Sequence, residues 1–296
     1  MKAQIRNMTK ADIDQVGEML YESFNAGASK HGYAPKMKCV EVGKSWAWAL
    51  LHYGSNELLI AEVENRIAGI CCLSPRGDLG GVGPVVVSPH FQGYRIGSQL
   101  MDALLERGEN QKSLRLIQEA FNPASFSLFY SHNFMPVANL LDLFRLGGAE
   151  QRLDQCSYVS ELKAEDLDAV YKYDSPRSKS DRRKDLEYYF KWGKVFVYRY
   201  KSQIRGFLVC LPGSGSVQLG PLLAEGEDEA GSLFQHALVY HNDRFCQTRV
   251  MARDYILVKT LMGFGFKIYC LNNLMVRGAW RPSQYIEAFG IFPEGV

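Results

Sequence analysis

Between Val85 and Met101 the chain reads VVVSPHFQGYRIGSQLM. A β-branched run gives way to Pro89, then to Gly93 and Gly97, then to residues at helical spacing. A strand that ends in a glycine loop and feeds a helix aims the helix's unpaired N–H groups, and the positive end of its dipole, at one point. Glycines in such a loop let an anion approach the backbone. The chemistry that fits is capture of a diphosphate by Gln92, Gly93, Tyr94, Arg95, Ile96, Gly97 and Ser98. The plainer alternative is an ordinary strand-to-helix turn. Two carboxylates, Glu62 and Glu119, lie on strand-like runs, from which a carboxylate can act as general base directly or through water. Exposed strand positions account for both equally well.

Better-known phosphate loops are absent. No G-x-x-x-x-G-K-[ST] occurs. GDLGGVG, residues 77–83, precedes a strand rather than opening a helix, so it reads as a loop or hairpin connection, not a dinucleotide fingerprint.

The elements around the loop follow from periodicity. ELLIAEVE and RIAGICCLS are strand-like runs about the turn residues Asn65-Arg66, and GPVVVS suits a buried strand. IGSQLMDALLERGE places Ile96, Leu100, Met101, Leu104 and Leu105 on one helical face. PASFSLFYSHN has a helix-start proline and ends at Asn133, which tolerates a left-handed backbone. KSWAWALLHY carries Trp46, Trp48 and Tyr53 and reads as an aromatic helix packed on the core.

The pattern recurs. Asp12-Ile13-Asp14 aligns with Asp166-Leu167-Asp168 at an offset of 166 − 12 = 154. RIAGI at Arg66 aligns with QIRGF at Gln203, and Gly83-Pro84 with Gly220-Pro221, both at 203 − 66 = 220 − 83 = 137. Phe134 aligns with Phe266 at 266 − 134 = 132. Four matches in one order imply two copies of one α/β fold, over residues 1–147 and 155–296, joined near RLGGAEQRLD.

Composition narrows the class. Of 296 residues, 47% are hydrophobic and 22% charged, and the net charge is +2, as expected of a globular protein with no general attraction to nucleic acid or membrane. The basic run SPRSKSDRRKD, residues 175–185, has no interleaved aromatics and reads as a solvated segment. The seven cysteines form no C-x-x-C pair, which points to reduced thiols, no zinc site and a cytoplasmic setting. Neither a signal core nor a membrane-spanning stretch is present in the sequence.

Val87-x-Pro89-x-x-Gln92-x-x-x-x-Gly97 resembles the acetyl-CoA loop of the GNAT N-acetyltransferase superfamily, V-x-P-x-x-[QR]-x-x-G-x-[GA]. Asn122-x-x-Ser125-x-x-Leu128-Phe129-x-x-x-Asn133-Phe134 resembles the family's N-x-x-[AS]-x-x-L-Y-x-x-x-G-F. The likeness covers residues 1 to about 147 and, more weakly, 155–296. It implies a mixed, mostly antiparallel twisted sheet flanked by helices in each copy. It also implies that Val85, Val86 and Val87 pair with the pantetheine arm and donate an N–H to the thioester oxygen, and that Asn122, Ser125 and Phe129 lie along that arm. Three residues depart from the pattern. Arg95 stands at a family glycine, where a locally helical backbone would accommodate it and let its guanidinium reach a phosphate. Phe129 stands where many members have a tyrosine that protonates the leaving thiolate, which leaves its neighbour Tyr130 as the candidate acid. Asn133 replaces a glycine.

In the second copy LAEGEDEAGSLF follows Gly220-Pro221-Leu222, with Glu225, Glu227, Asp228 and Glu229 where the first copy has its loop. Carboxylates repel a diphosphate, by about 1 kcal/mol per close pair even in water, so this copy is expected not to bind CoA. The chain therefore reads as a metal-independent acyltransferase, a monomer or homodimer, using acetyl-CoA as cosubstrate and a small primary amine as acceptor. The rival reading is a non-catalytic acyl-CoA-binding or regulatory protein.

Overall fold

A computed structural model describes residues 1–53, 56–148, 154, 156–213 and 215–290. Half of the predicted join, residues 149–153, lies outside the described residues, as do residue 155 and the end of the second copy, 291–296.

The first half runs β1 (Gln4–Asn7), α1 (Ile13–Lys30), α2 (Val40–His52), β2 (Glu57–Val63), β3 (Arg66–Arg76), β4 (Leu79–Val87), α3 (Ile96–Arg107), β5 (Ser113–Glu119), α4 (Pro123–Ser131) and β6 (Met135–Arg145). The second half repeats it: β7 (Val159–Leu162), α5 (Leu167–Ser178), α6 (Arg183–Trp192), β8 (Lys194–Tyr200), β9 (Gln203–Pro212), β10 (Ser216–Ala224), α7 (Glu227–Tyr240), β11 (Phe245–Met251), α8 (Tyr255–Gly263), β12 (Lys267–Gly278) and β13 (Ile286–Phe289).

Two compact units result. The first holds Met1–Met135 with Met275–Ala279, the second Pro136–Leu274 with the residues from Trp280 on. This division differs from the copies read in the sequence. Strand β6 follows the first copy's last helix, yet it pairs antiparallel with β11, Leu140 opposite Met251 through Arg145 opposite Cys246, and so belongs to the second unit. The end of β12 lies beside β5 in the first unit, where the Ala279 N–H donates to the Lys112 carbonyl at 3.0 Å. Backbone pairing sets membership, and periodicity is silent about which strand a partner sits on.

In the first unit the strand order is β1-β2-β3-β4-β5 and then the end of β12. Pairing is antiparallel from β1 to β4 and parallel between β4 and β5. Alternation explains the layers. Leu59, Ala61, Val63, Leu114 and Leu116 share one core with Ile96, Leu100, Met101 and Leu104 of α3 and with Phe129 of α4. Leu58, Ile60 and Ile70 are buried on the opposite face, where Val16, Met19 and Leu20 bury the apolar stripe of α1. In the second unit β12 (up to Leu274), β6, β11, β13, β10, β9, β8 and β7 follow in order. Mixed, mostly antiparallel sheets flanked by helices are the fold of both units.

Local corrections have local causes. GDLGGVG is mostly strand, not connection: only Gly77-Asp78 turn, and Leu79–Gly81 pair with β3 on one side and β5 on the other. A Cβ on Gly81 would stand 2.6 Å from Nη1 of the buried Arg76, so the glycine makes room for that side chain. The hairpin turn is Glu64-Asn65, at φ 49° and 61°, rather than Asn65-Arg66. Its copy, Lys201-Ser202, at φ 48° and 64°, stands 201 − 64 = 137 residues on. Two residues in left-handed conformation make the turn whose twist matches its strands. The β3–β4 register shifts between Cys71 and Leu73, and the β10–β9 register between Leu219 and Leu222, so Gly83-Pro84 and Gly220-Pro221 sit at matching bulges.

Candidate active site

The loop is built as a bridge between β4 and α3. Gln92 donates from Nε2 to the Val87 carbonyl at 3.1 Å, so its side chain closes the loop onto the strand end. Gly93 is left-handed at φ 84°, and an added Cβ would meet open space there, so backbone conformation and not crowding selects the glycine. Arg95 caps α3 at φ 62°, ψ 19°, which is left-handed and not helical. The expectation of a helical backbone at Arg95 is therefore corrected. The family glycine marks a position of positive φ, and arginine occupies it at a conformational cost of about 1–2 kcal/mol. Arg95 is exposed and lines, with Met1, Tyr94, Ser98, Gln99 and Asp102, an open pocket of about 250 Å³.

Ile96 is buried in the core, so only its backbone faces the loop. Gly97 serves packing: an added Cβ would stand 3.0 Å from Leu128 Cδ2 on α4 and 3.6 Å from Val87 Cγ2. That replaces the reading in which Gly97 clears space for a phosphate. The backbone from Gly93 to Ser98 thus lies at the start of a twelve-residue helix, whose first N–H groups have no intrahelical partner.

Beside the loop the sheet opens. The β4–β5 ladder runs from Leu79/Ser113 to Gly81/Arg115, although β4 continues to Val87 and β5 to Glu119. Val85, Val86 and Val87 pair with β3 on one edge, opposite Cys71, Ile70 and Gly69. The other edge of the half-buried triplet lies past the end of the ladder with β5. A strand edge of this kind offers N–H and C=O groups to an extended amide-bearing chain.

Asn122 caps α4: its side-chain oxygen accepts the Ser125 N–H at 3.2 Å, while Ser125 Oγ donates to the Asn122 carbonyl at 3.0 Å. Gln118, 1% exposed, donates from Nε2 to the Asn122 carbonyl at 2.8 Å and to Ser125 Oγ at 3.0 Å. Sequence reasoning missed Gln118; its place one turn of chain before the N-P-x-S cap is the only signal. Phe129 is 7% exposed and packs edge-on against Phe134 at 6.3 Å, so it fills the core. Tyr130 is 51% exposed and stacks on Phe126 at 5.9 Å. Asn133 is left-handed at φ 63°, as the helix-end reading expects.

The two carboxylates differ. Glu62 on β2 accepts from Arg6 Nε at 2.9 Å, and the same guanidinium holds Asp12 through two further bonds of 2.9 and 2.8 Å. The Arg6 hydrogen bond is the main reason Asp12 lies below the usual carboxylate range. Glu62 is thus part of a structural ion cluster. Glu119 ends β5 on the face opposite Gln118, and its Oε1 lies 2.7 Å from Lys36 Nζ in the segment between α1 and α2. Lys36 is a second residue that sequence reasoning missed, because nothing local links a loop lysine to a strand end over eighty positions away.

The other residues singled out are structural. Trp46 packs edge-on against Phe24 at 5.6 Å, Trp48 stacks on His52 at 4.3 Å, and Tyr53 is buried. Of the two histidines that flank the loop and α4, His132 bonds the Leu128 carbonyl and lies 3.3 Å from Asp102, while His90 is a surface residue. The basic run is largely neutralised internally: Arg182 pairs with the buried Asp174, Arg183 with Asp168, and Arg177 with Glu225. Pro176, Lys179, Asp181, Arg183 and Lys184 are exposed, so the run is solvated in part, as expected.

The second unit has lost each feature. Between β4 and α3 stand 96 − 87 − 1 = 8 residues; between β10 and α7 stand 227 − 224 − 1 = 2. The loop is six residues shorter rather than merely acidified, which takes the offset from 137 at Gly83/Gly220 to 227 − 96 = 131 at the helix starts; one residue is regained before the next helices, at 255 − 123 = 132. The gap between β10 and β11, whose parallel ladder ends at Gln218/Gln247, is filled by β13. Leu222, Leu223 and Ala224 pair with Ala288, Glu287 and Ile286, and Arg249 and Val250 pair with Phe289 and Ala288. Asp254, 254 − 122 = 132 residues after Asn122, accepts the Glu287 N–H. Asp254 and the neighbouring Glu227 are both raised above the ordinary carboxylate range, chiefly by burial.

Among the described residues no helix is long and apolar enough to cross a membrane, and no three His, Cys, Asp or Glu cluster in metal-binding geometry. Residues 18–134 match the family model described as acetyltransferase (GNAT) family, and residues 170–289 the one described as acetyltransferase (GNAT) domain. No curated protein is similar enough in sequence to match. Among solved structures, a candidate acetyltransferase from Pyrococcus horikoshii is 16% identical with a TM-score of 0.75, over 96% of this chain and 92% of its own. A tandem GNAT protein from the clavulanic acid biosynthesis pathway is 14% identical with a TM-score of 0.65, over 95% and 100%. A GCN5-related N-acetyltransferase from Sphaerobacter thermophilus is 15% identical with a TM-score of 0.61, over 93% and 95%. At these identities the likeness is one of fold.

Proposed function

The chain belongs to the GNAT acetyltransferase family, and from that premise we propose that its first unit transfers an acetyl group from acetyl-CoA to a primary amine of a small molecule. One observation carries the reading: the opened edge of β4 beyond Gly81 runs directly into the loop at Gln92–Ser98, and the second unit keeps neither. The diphosphate binds the backbone N–H groups from Gly93 to Ser98, with Arg95 at its flank. The pantetheine arm extends along Val85–Val87, past Asn122 and Ser125, and a backbone N–H of that strand holds the thioester oxygen as it gains charge.

The amine reaches the thioester from the Glu119 side and attacks its carbonyl carbon. Glu119 takes the ammonium proton, directly or through one water. The new C–N bond forms, the nitrogen gives up its second proton to water, the C–S bond breaks, and CoA leaves as thiolate. Glu62 is committed to Arg6 and is set aside as base. With Phe129 in the core, Tyr130 is the remaining candidate to protonate the thiolate. The second unit binds no acetyl-CoA and contributes structure. A cytoplasmic setting fits cysteines that form no disulfide among the described residues, where no helix is long and apolar enough to cross a membrane either.

The test is free-thiol release from acetyl-CoA across a panel of amines. The rival reading, an acyl-CoA-binding regulatory protein, is favoured by Phe129 at the family's tyrosine position. Tight acetyl-CoA binding with no thiol release on any amine would select it.

A further inference from the structure

The carboxylate proposed to receive the acceptor already holds an amine. Lys36 Nζ lies 2.7 Å from Glu119 Oε1 and 5.7 Å from the centre of the Phe121 ring. A carboxylate beside an aromatic face is an ammonium site: one supplies the charge and hydrogen-bond acceptor, the other the negative face of its quadrupole. The ring is held in place. Tyr33 stacks on it at 4.4 Å, and His31 lies against it at 5.2 Å. The segment carrying Lys36 is also anchored. The Asn25 side chain bonds both backbone groups of Met37, at 3.0 Å each, and Met37 is buried. The lysine is therefore presented to Glu119 from a fixed backbone.

The site lies on the right face of the sheet. Leu114, Leu116 and Gln118 of β5 point toward α3 and α4, which carry the loop and the cap proposed for acetyl-CoA. Glu119 alternates to the other face. A donor laid in the gap between β4 and β5 from the α3 and α4 side leaves its thioester open to an amine from the Glu119 side.

We propose that Glu119 and the face of Phe121 form the subsite for the acceptor's ammonium group, and that Lys36 is its built-in occupant, displaced by a cationic acceptor before transfer. The inference rests on the transferase reading for its purpose, though not for its measurement. It makes the acceptor a protonated alkylamine, and it makes Lys36 a specificity device: neutral molecules gain nothing by displacing it. An occupied site lowers apparent affinity by the fraction of time the lysine is in place.

Butylamine reproduces the lysine side chain from Cβ outward, and butan-1-ol is its neutral counterpart. Calorimetric titration of the CoA-loaded protein with each, in wild type, Lys36→Met, Lys36→Arg and Glu119→Gln, reads the subsite without turnover. Lys36→Met is expected to tighten butylamine on the order of three- to tenfold. Lys36→Arg is expected to keep wild-type affinity, Glu119→Gln to weaken butylamine, and butan-1-ol to be indifferent to all three. Unchanged or weaker butylamine binding in Lys36→Met overturns the proposal, as does an equal gain for butan-1-ol. Thiol release on the same variants separates the two readings. The expected affinity order without turnover on any amine removes the transferase and keeps the subsite. Turnover without that order removes the subsite alone.

Discussion

Replacing Arg95 with glycine separates two roles for the residue at the head of α3. Arg95 holds φ 62°, ψ 19°. A left-handed backbone costs a residue with a Cβ about 1–2 kcal/mol, and glycine removes that cost while adding about 0.4–1 kcal/mol of unfolded-chain entropy. Arg95→Gly should therefore stabilise the first unit by about 0.5–1 kcal/mol. For a unit of 135 + 5 = 140 residues that is a rise in Tm of about 2–4 °C. The cofactor effect runs the other way. If the guanidinium holds a phosphate from its exposed position, losing one charge-assisted bond costs about 1.4 kcal/mol, or tenfold in KM for acetyl-CoA. Differential scanning calorimetry and thiol-release kinetics on the same sample read both numbers. A more stable but weaker-binding variant is the expected result. A variant that binds acetyl-CoA more tightly would show that Arg95 obstructs the loop, and a less stable one would refute the conformational argument.

Further outcomes follow from other contacts. Glu119→Gln should lower kcat/KM on the order of 10²-fold or more, whereas Glu62→Gln should cost stability through Arg6 and leave kcat/KM near that of the wild type; the reverse pattern would exchange their roles. Tyr130→Phe should lower kcat at least tenfold if its phenol protonates the thiolate, and an unchanged kcat would assign that proton to water. The half-buried Glu227 and the buried Asp254 are both raised above the ordinary carboxylate range by desolvation first. The folded second unit then binds more protons than the unfolded chain between the ordinary and raised values, so its stability should fall as pH climbs through that window. Asp254→Asn, which can still accept the Glu287 N–H, should flatten the slope of Tm against pH, and an unaltered slope would clear the pair of responsibility.

What the sequence made legible was periodic or local. Helix α3 was readable because Ile96, Leu100, Met101 and Leu104 repeat at helical spacing and are buried on that schedule. The repeat was readable because turns and bulges at Glu64/Lys201 and Gly83/Gly220 keep a constant spacing. The left-handed backbone at Arg95 was hidden because an arginine gives no hint of positive φ, and only the family glycine at that position does. Gly97 was misread because its reason, Leu128, lies on another helix. The acidic residues after β10 drew attention to charge, while the decisive changes were a shortened loop and a strand, β13, recruited from far along the chain. Pairings such as Lys36 with Glu119 arise only when topology brings a loop to a strand end, and no window of sequence contains both.

The proposed function requires one acetyl-CoA site, at the loop between β4 and α3. Titration calorimetry of the whole chain with acetyl-CoA tests it most directly, with Gly97→Trp, which drives a ring into Leu128, as the partner measurement. One acetyl-CoA per chain is expected, and none in Gly97→Trp while the second unit's melting transition persists. Two per chain, none in the wild type, or undiminished binding in Gly97→Trp would contradict it.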